Sequence, residues 1–189
     1  MKTMQIGKSA VTASEISIGT FAMSGGTAWS DTKNDIDASV RLLHEAFELG
    51  VNYFDTAPVY GTGRGEEILG RAIAGRRGQV VISTKCSLNW RAEEGLFEYA
   101  RDGKRVYRCF TPESIRADLE DSLRRLGTDY IDVYITHRQP ELEDVPQLMD
   151  TLLSLKKEGK IRAVGISNAS LEHLKAYLAC GQVDLADRK

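Results

Sequence analysis

An aspartate, a tyrosine, a lysine and a histidine stand where successive apolar segments of this chain run out. They are Asp55 and Tyr60 in YFDTAPVYG, Lys85 in VVISTK and His137 in DVYITH. Together they are the parts of a proton-delivery system. Reduction of a carbonyl by a hydride donor leaves an alkoxide that must be protonated. A phenol can supply that proton, although its ordinary pKa is ~10, and an ammonium group beside a phenol favours the phenolate. A carboxylate paired with the ammonium keeps it charged and in place. An imidazole nearby can hydrogen-bond the carbonyl oxygen and orient it. Tyr60, Lys85, Asp55 and His137 fit these roles in that order, and general acid catalysis of this kind is worth about 10²–10⁴ in rate. Each residue alone also has a plainer reading: a packing tyrosine, a solvated lysine, a turn-capping aspartate, a histidine bonded to backbone. All four at successive strand ends are a much rarer coincidence.

The elements that must position them alternate along the chain. MQIG and VTASEI flank Lys8-Ser9 as a short hairpin, and ISIGT (16–20) reads as the first main strand. Apolar residues at Ile36, Val40, Leu43, Ala46, Phe47 and Leu49 have helical spacing over 34–49, and Gly50 stops that helix. Strand 53–57 follows, then a helix over 66–74 for which Gly65 serves as cap. The apolar run 80–84 reads as a strand buried on both faces. Residues 86–110 carry Trp90, Phe97, Tyr99, Tyr107 and Phe110 and read as an irregular lid or binding loop. Thr111 caps a helix with Pro112 in its first position, which runs to Leu126 before Gly127. Strand 130–136, helix 144–158, strand 161–167, a helix from the Ser170 cap through Ala179, and a last strand at 183–185 complete the series. Such alternation implies a parallel sheet with crossover helices, in one domain over 1–189.

Two architectures use this alternation. A doubly wound sheet that binds a dinucleotide carries G-x-G-x-x-G after its first strand. Here that place reads Phe21-Ala22-Met23-Ser24-Gly25-Gly26, and Gly61-Thr62-Gly63-Arg64-Gly65 has the wrong spacing as well. Candidates dispersed over several strand ends suit a (β/α)8 TIM barrel, whose active site lies at the carboxyl ends of its strands. The expected fold is therefore α/β: a barrel with an N-terminal β-hairpin. Only about six barrel strands are expected here, because such barrels take ~250 residues. The domain is thus expected to be incomplete at its C-terminus.

Bulk properties narrow the class. The 189 residues carry 25 basic and 27 acidic side chains, so no basic stripe invites nucleic acid. MKTMQIGKSA lacks the apolar core of a signal peptide, and no apolar run reaches the ~20 residues of a membrane span. Three cysteines without a Cys-x-x-Cys pair predict free thiols in the cytoplasm and no metal site.

GVNYFDTAPVYG (50–61), EEILGRAI (66–73), VVISTK (80–85), SIRADLEDSLRRLGTDYIDVYITH (114–137) and GKIRAVGISN (159–168), with ISIGTFAMSGG (16–26), resemble the aldo-keto reductase family over nearly the whole chain. In particular they are similar to bacterial members acting on small aldehydes. The resemblance implies an NAD(P)H-dependent carbonyl reductase, using NADPH or less often NADH, for small aldehydes, ketones or α-dicarbonyls. It makes Tyr60 the acid, tuned by Lys85 and Asp55, with His137 orienting the carbonyl. It assigns Ser167 and Asn168 to the nicotinamide amide, Thr20 and Phe21 to the nicotinamide ribose and ring, and Asp55 to the cofactor as well. Trp29, Trp90 and Arg138 are expected to line the substrate mouth, Arg138 standing where many members have tryptophan. The expected assembly is a monomer or loose homo-oligomer. The family's nicotinamide-stacking aromatic and its basic pyrophosphate loop have no match in Ala186 to Lys189, so selection between NADPH and NADH is not expected within these residues. Two other readings remain open: a cofactor-binding, redox-sensing regulatory subunit, and an inactive truncated barrel.

Overall fold

The computed structural model describes residues 1–25, 35–101 and 103–187. Two short strands, β1 (Thr3–Gln5) and β2 (Thr12–Ser14), pair antiparallel as the expected hairpin. Then come β3 (Ser17–Gly19), α1 (Ile36–Glu48), β4 (Tyr53–Asp55), α2 (Arg64–Ala72) and β5 (Val81–Cys86). Three strands follow in a row: β6 (Leu88–Asn89), β7 (Leu96–Arg101) and β8 (Lys104–Arg108). The alternation then resumes with α3 (Pro112–Leu126), β9 (Ile131–Thr136), α4 (Val145–Lys157), β10 (Ile161–Ser167), α5 (Leu171–Cys180) and β11 (Leu185–Asp187).

The main sheet is all parallel, and its strands lie in chain order: β3, β4, β5, β9, β10, β11. A doubly wound sheet reverses its order at a switch point. An unreversed order is the wall of a (β/α)8 barrel, and six of its strands are present among the described residues.

Alternation within each strand divides the core in two. Phe54, Ile82, Tyr134, Val164 and Ile166 face outward into the larger cluster, which they share with the buried faces of the helices. Val81, Val133, Ile135 and Ala163 point the other way and meet Ile6, Val11 and Ala13 of the hairpin. The hairpin therefore covers the amino-end interior of the sheet. Its turn residue Gly7 has φ +56°, and a Cβ there would lie 2.3 Å from the Asp184 carbonyl oxygen, so only glycine fits between hairpin and β11.

Helix ends follow local chemistry. The Asp35, Thr111 and Ser170 side chains accept hydrogen bonds from the backbone N–H groups of Asp37, Ser114 and His173. Gly127, at φ +65°, closes α3. Two expectations need correction. Gly65 is not the cap of α2: it is the second residue of that helix, and Gly63 at φ +101° precedes it. Nor is 86–110 irregular, since β6, β8 and β7 form a separate three-stranded antiparallel sheet in that order. No helix among the described residues is long and apolar enough to cross a membrane.

Candidate active site

Asp55 ends β4, and its register partner on β5 is Ser83. Side chains two apart on a strand share a face, so Ser83 and Lys85 both look into the interior beside Asp55. The contacts follow. Ser83 Oγ donates to Asp55 Oδ1 at 2.7 Å. Lys85 Nζ donates to Asp55 Oδ1 at 2.9 Å, to Oδ2 at 2.8 Å and to the Thr56 carbonyl at 2.8 Å. Three acceptors around one buried ammonium fix it in a single place. That place is 4.8 Å from the centroid of the Tyr60 ring.

Tyr60 lies beyond the end of β4 in a tight turn that leads into α2. Its N–H donates to the Ala57 carbonyl, and its own carbonyl accepts from Gly65 N–H at 3.0 Å. Gly65 is needed there, because a Cβ would lie 2.9 Å from Thr20 Oγ1 and 3.1 Å from Tyr60 Cβ. The next residue, Glu66, is wholly buried. It accepts from Thr84 Oγ1 at 2.6 Å and from Arg125 Nε at 2.6 Å. This carboxylate joins the start of α2 to β5 immediately before Lys85, and both to the end of α3.

His137 follows the last residue of β9, and its N–H donates to the Cys86 carbonyl. Its ring meets the Tyr60 ring edge-on, with centroids 6.1 Å apart. Nδ1 is shut off from solvent and has no hydrogen-bond partner among the described residues. Burial, and then the positive charges of Lys85 and Arg138, push the imidazole pKa down to about 3. His137 is thus neutral at physiological pH and able to donate from one ring nitrogen.

That depression carries a stability consequence. Unfolded, the imidazole takes a proton near pH 6.5; folded, only near 3. Between those values the unfolded chain binds more protons, so acidification favours unfolding. The penalty is absent above about pH 6.5 and complete by about pH 3, up to about 5 kcal/mol at ~1.4 kcal/mol per pH unit. Asp118 acts in the opposite sense. Burial, offset in part by Arg91, pushes its pKa to about 6, so protonation below that value favours the folded state. Urea unfolding from pH 7 to pH 4 is therefore expected to show a smaller loss in His137→Gln than in the wild type, the difference isolating the imidazole. Parallel pH curves for the two proteins would contradict a neutral His137.

Asp55, Tyr60, Lys85 and His137 thus come together at the carboxyl ends of the strands. They line a cavity of about 650 Å³ with Phe21, Arg138, Ser167 and Asn168. The Phe21 ring stands 5.1 Å from that of Tyr60. Asn168 adopts φ +57°, and its Nδ2 donates to the His137 carbonyl at 3.0 Å and to Ser167 Oγ at 3.1 Å. Its Oδ1 has no partner among the described residues.

Two of the expected residues stand apart. Thr20 is fully buried, and its hydroxyl donates to Thr56 Oγ1 at 2.8 Å behind the Tyr60 turn. Trp90 lies beside Pro58, Arg91 and Arg125 in a separate small crevice. Trp29 lies outside the described residues.

Sequence reading did not single out Ser83, Gln139 or Glu98. Ser83 was detectable, two residues before Lys85 on one strand. Gln139 Nε2 donates to the Ser167 carbonyl at 2.7 Å and so braces the end of β10. Glu98 binds Arg138 from the antiparallel sheet, 40 residues away, and no local pattern announces it. Among the described residues no group of three or more His, Cys, Asp or Glu side chains could hold a metal ion.

Comparison with known proteins bears on the family and the fold. A sequence profile described as "Aldo/keto reductase family" matches residues 15–187. The chain is 39% identical over 195 residues to an NADH-specific methylglyoxal reductase of Escherichia coli (strain K12), a match covering 100% of this chain and 59% of that protein. It is 37% identical to the aldo-keto reductase YhdN of Bacillus subtilis (strain 168), with coverages of 95% and 50%. Among solved structures, the glycerol dehydrogenase of Gluconobacter oxydans superposes with a TM-score of 0.81 at 34% identity, covering 97% of this chain and 54% of that one. The chain therefore spans between half and three-fifths of the length of these relatives.

Proposed function

The chain belongs to the aldo/keto reductase family, and on that ground we propose that the protein containing it is an NAD(P)H-dependent reductase of small aldehydes, ketones or α-dicarbonyls. One observation carries the reading: an ammonium fixed by Asp55 and the Thr56 carbonyl lies 4.8 Å from the Tyr60 ring centroid, and a neutral imidazole meets the same ring edge-on with centroids 6.1 Å apart. Tyr60 donates its phenolic proton to the carbonyl oxygen. Lys85 favours the phenolate that results, and Asp55 with Ser83 holds Lys85 there. His137, neutral, donates a hydrogen bond to the same oxygen and orients it.

A reduced nicotinamide nucleotide would supply the hydride. The residues fit such a group: the unpartnered Oδ1 of Asn168 is an acceptor for a carboxamide N–H, and Phe21 offers a ring at the same mouth. Ser167 and Asn168 bind the amide end in this reading, with Phe21 near the ring. Asp55 faces the same cavity, and Thr20 acts from behind by supporting the turn. Residues 1–189 are read as part of one barrel domain, in a cytoplasmic protein whose Cys86, Cys109 and Cys180 are free thiols.

Oxidation of NADH and NADPH by the full-length protein, followed with methylglyoxal and a series of short aldehydes and ketones, tests the proposal. Carbonyl-dependent oxidation is the expected result. Nucleotide binding with no turnover on any carbonyl would overturn it and favour a cofactor-binding regulatory role.

A further inference from the structure

Arg138 lines the cavity immediately after His137, and its charge is not fully used by its partners. Its Nε donates to Glu98 Oε1 at 2.7 Å. The other oxygen of Glu98 pairs with Arg108 Nε at 2.6 Å. One carboxylate between two guanidinium groups leaves one positive charge over. Glu98 would be neutralised by Arg108 alone, so Arg138 is not needed to satisfy it. The remaining nitrogens of Arg138 are lightly engaged: Nη1 makes only a long 3.4 Å contact to the His137 carbonyl, and Nη2 has no partner among the described residues. Its backbone is held, N–H to Ser87 Oγ at 3.0 Å, so the side chain starts from a fixed point.

The cavity itself has the same sign. Among the described residues its charged lining side chains are Asp55, Lys85 and Arg138. Asp55 and Lys85 cancel as a pair, and His137 is neutral. Arg138 remains, 35% exposed, close enough to His137 for its charge to weigh on the imidazole. A planar guanidinium with free N–H groups at the mouth of a cavity matches a carboxylate, which it can bind through two hydrogen bonds.

We propose that the substrate is a short oxo acid, its carbonyl at Tyr60 and His137 and its carboxylate on Arg138, so that Arg138 is a specificity-determining residue. The inference rests on the carbonyl-reductase reading and narrows its substrate class from neutral to anionic carbonyl compounds. Glu98 is a positioning residue in this scheme, holding the Nε side of Arg138 so that the outer nitrogens face the ligand.

The test compares kcat/KM of the full-length protein for succinic semialdehyde and for the matching neutral amide. A charge-assisted contact predicts about a 10-fold or greater preference for the acid. The preference should fall towards one in Arg138→Met and be partly kept in Arg138→Lys. A wild-type ratio near one, or a ratio that survives Arg138→Met, would overturn the proposal. Calorimetric binding of succinate to wild type and Arg138→Met, with saturating oxidised nucleotide, separates the two ideas. Arg138-dependent binding without turnover of either aldehyde supports the anion subsite and sinks the reductase reading. Absent or Arg138-independent binding sinks the subsite whatever the turnover.

Discussion

Replacing Tyr60 by phenylalanine in the full-length protein is expected to lower the rate of carbonyl reduction about 10²–10⁴-fold, the usual worth of a positioned general acid. The ring itself should stay where it is. Its neighbours are the Phe21 and His137 rings and the Lys85 ammonium above its face, and none of these ring contacts needs the hydroxyl. The loss should therefore fall in the rate constant of the chemical step, read under single-turnover conditions. Lys85→Met should also lose most activity, because it removes the group that favours the phenolate. The double variant should be little worse than either single one, since residues acting as a unit are not additive. Full activity in Tyr60→Phe would remove the phenol from the mechanism.

The second large effect is on stability. Glu66 has no exposed surface, and among the described residues its only cationic partner is Arg125, itself 15% exposed. Arg125→Met strands a carboxylate in the interior with one hydroxyl, Thr84, to bond it. Breaking a buried pair from one side costs about 3–5 kcal/mol, mostly the desolvation of the charge left behind. Urea denaturation is expected to show a loss of that size. Adding Glu66→Gln should restore most of it, because the interior then holds a neutral amide. A loss below about 1 kcal/mol, the scale of an exposed ion pair, would mean that Glu66 finds water or another partner. The effect should reach the site as well: Gly65 N–H holds the Tyr60 carbonyl, so loosening the first turn of α2 loosens the tyrosine.

The tetrad was legible because each of its residues sits at a change of pattern, where an apolar segment gives way to a polar side chain. The barrel followed from strict alternation and from the absence of a glycine fingerprint. Boundaries were less exact for a physical reason. The strand ending in Lys85 was read as stopping at Thr84, because lysine and cysteine break an apolar run. In the structure β5 continues through Cys86, with all six residues buried and Lys85 stabilised by Asp55. The interior position of a charged residue depends on a partner 30 residues away, which no local window contains. The antiparallel sheet was missed differently. LFEYAR and KRVYR alternate around Asp102-Gly103, a turn signal that was present in the sequence. The density of aromatic residues over 86–110, Trp90, Phe97, Tyr99, Tyr107 and Phe110, disguised it as a lid. Thr20 and Trp90 mark the limit of assignment by position, because a matching place in the chain does not say which way a side chain turns.

That antiparallel sheet leaves the barrel and returns to it at one point. Leu88 pairs with Arg108, and Cys109 N–H donates to the Ser87 carbonyl across its base. Between those points the segment is tied to the rest of the fold by Glu98 on Arg138 and by Arg91 on Asp118 and Asp121 of α3. In evolutionary terms it is a detachable module: a lineage could lengthen, shorten or exchange it without disturbing the strands that carry Asp55, Lys85 and His137. The partner of Arg138 lies in the module, while the residues proposed for the proton chemistry lie in the wall. Under that proposal, descendants of such a chain can change what they recognise while inheriting unaltered the way they protonate it.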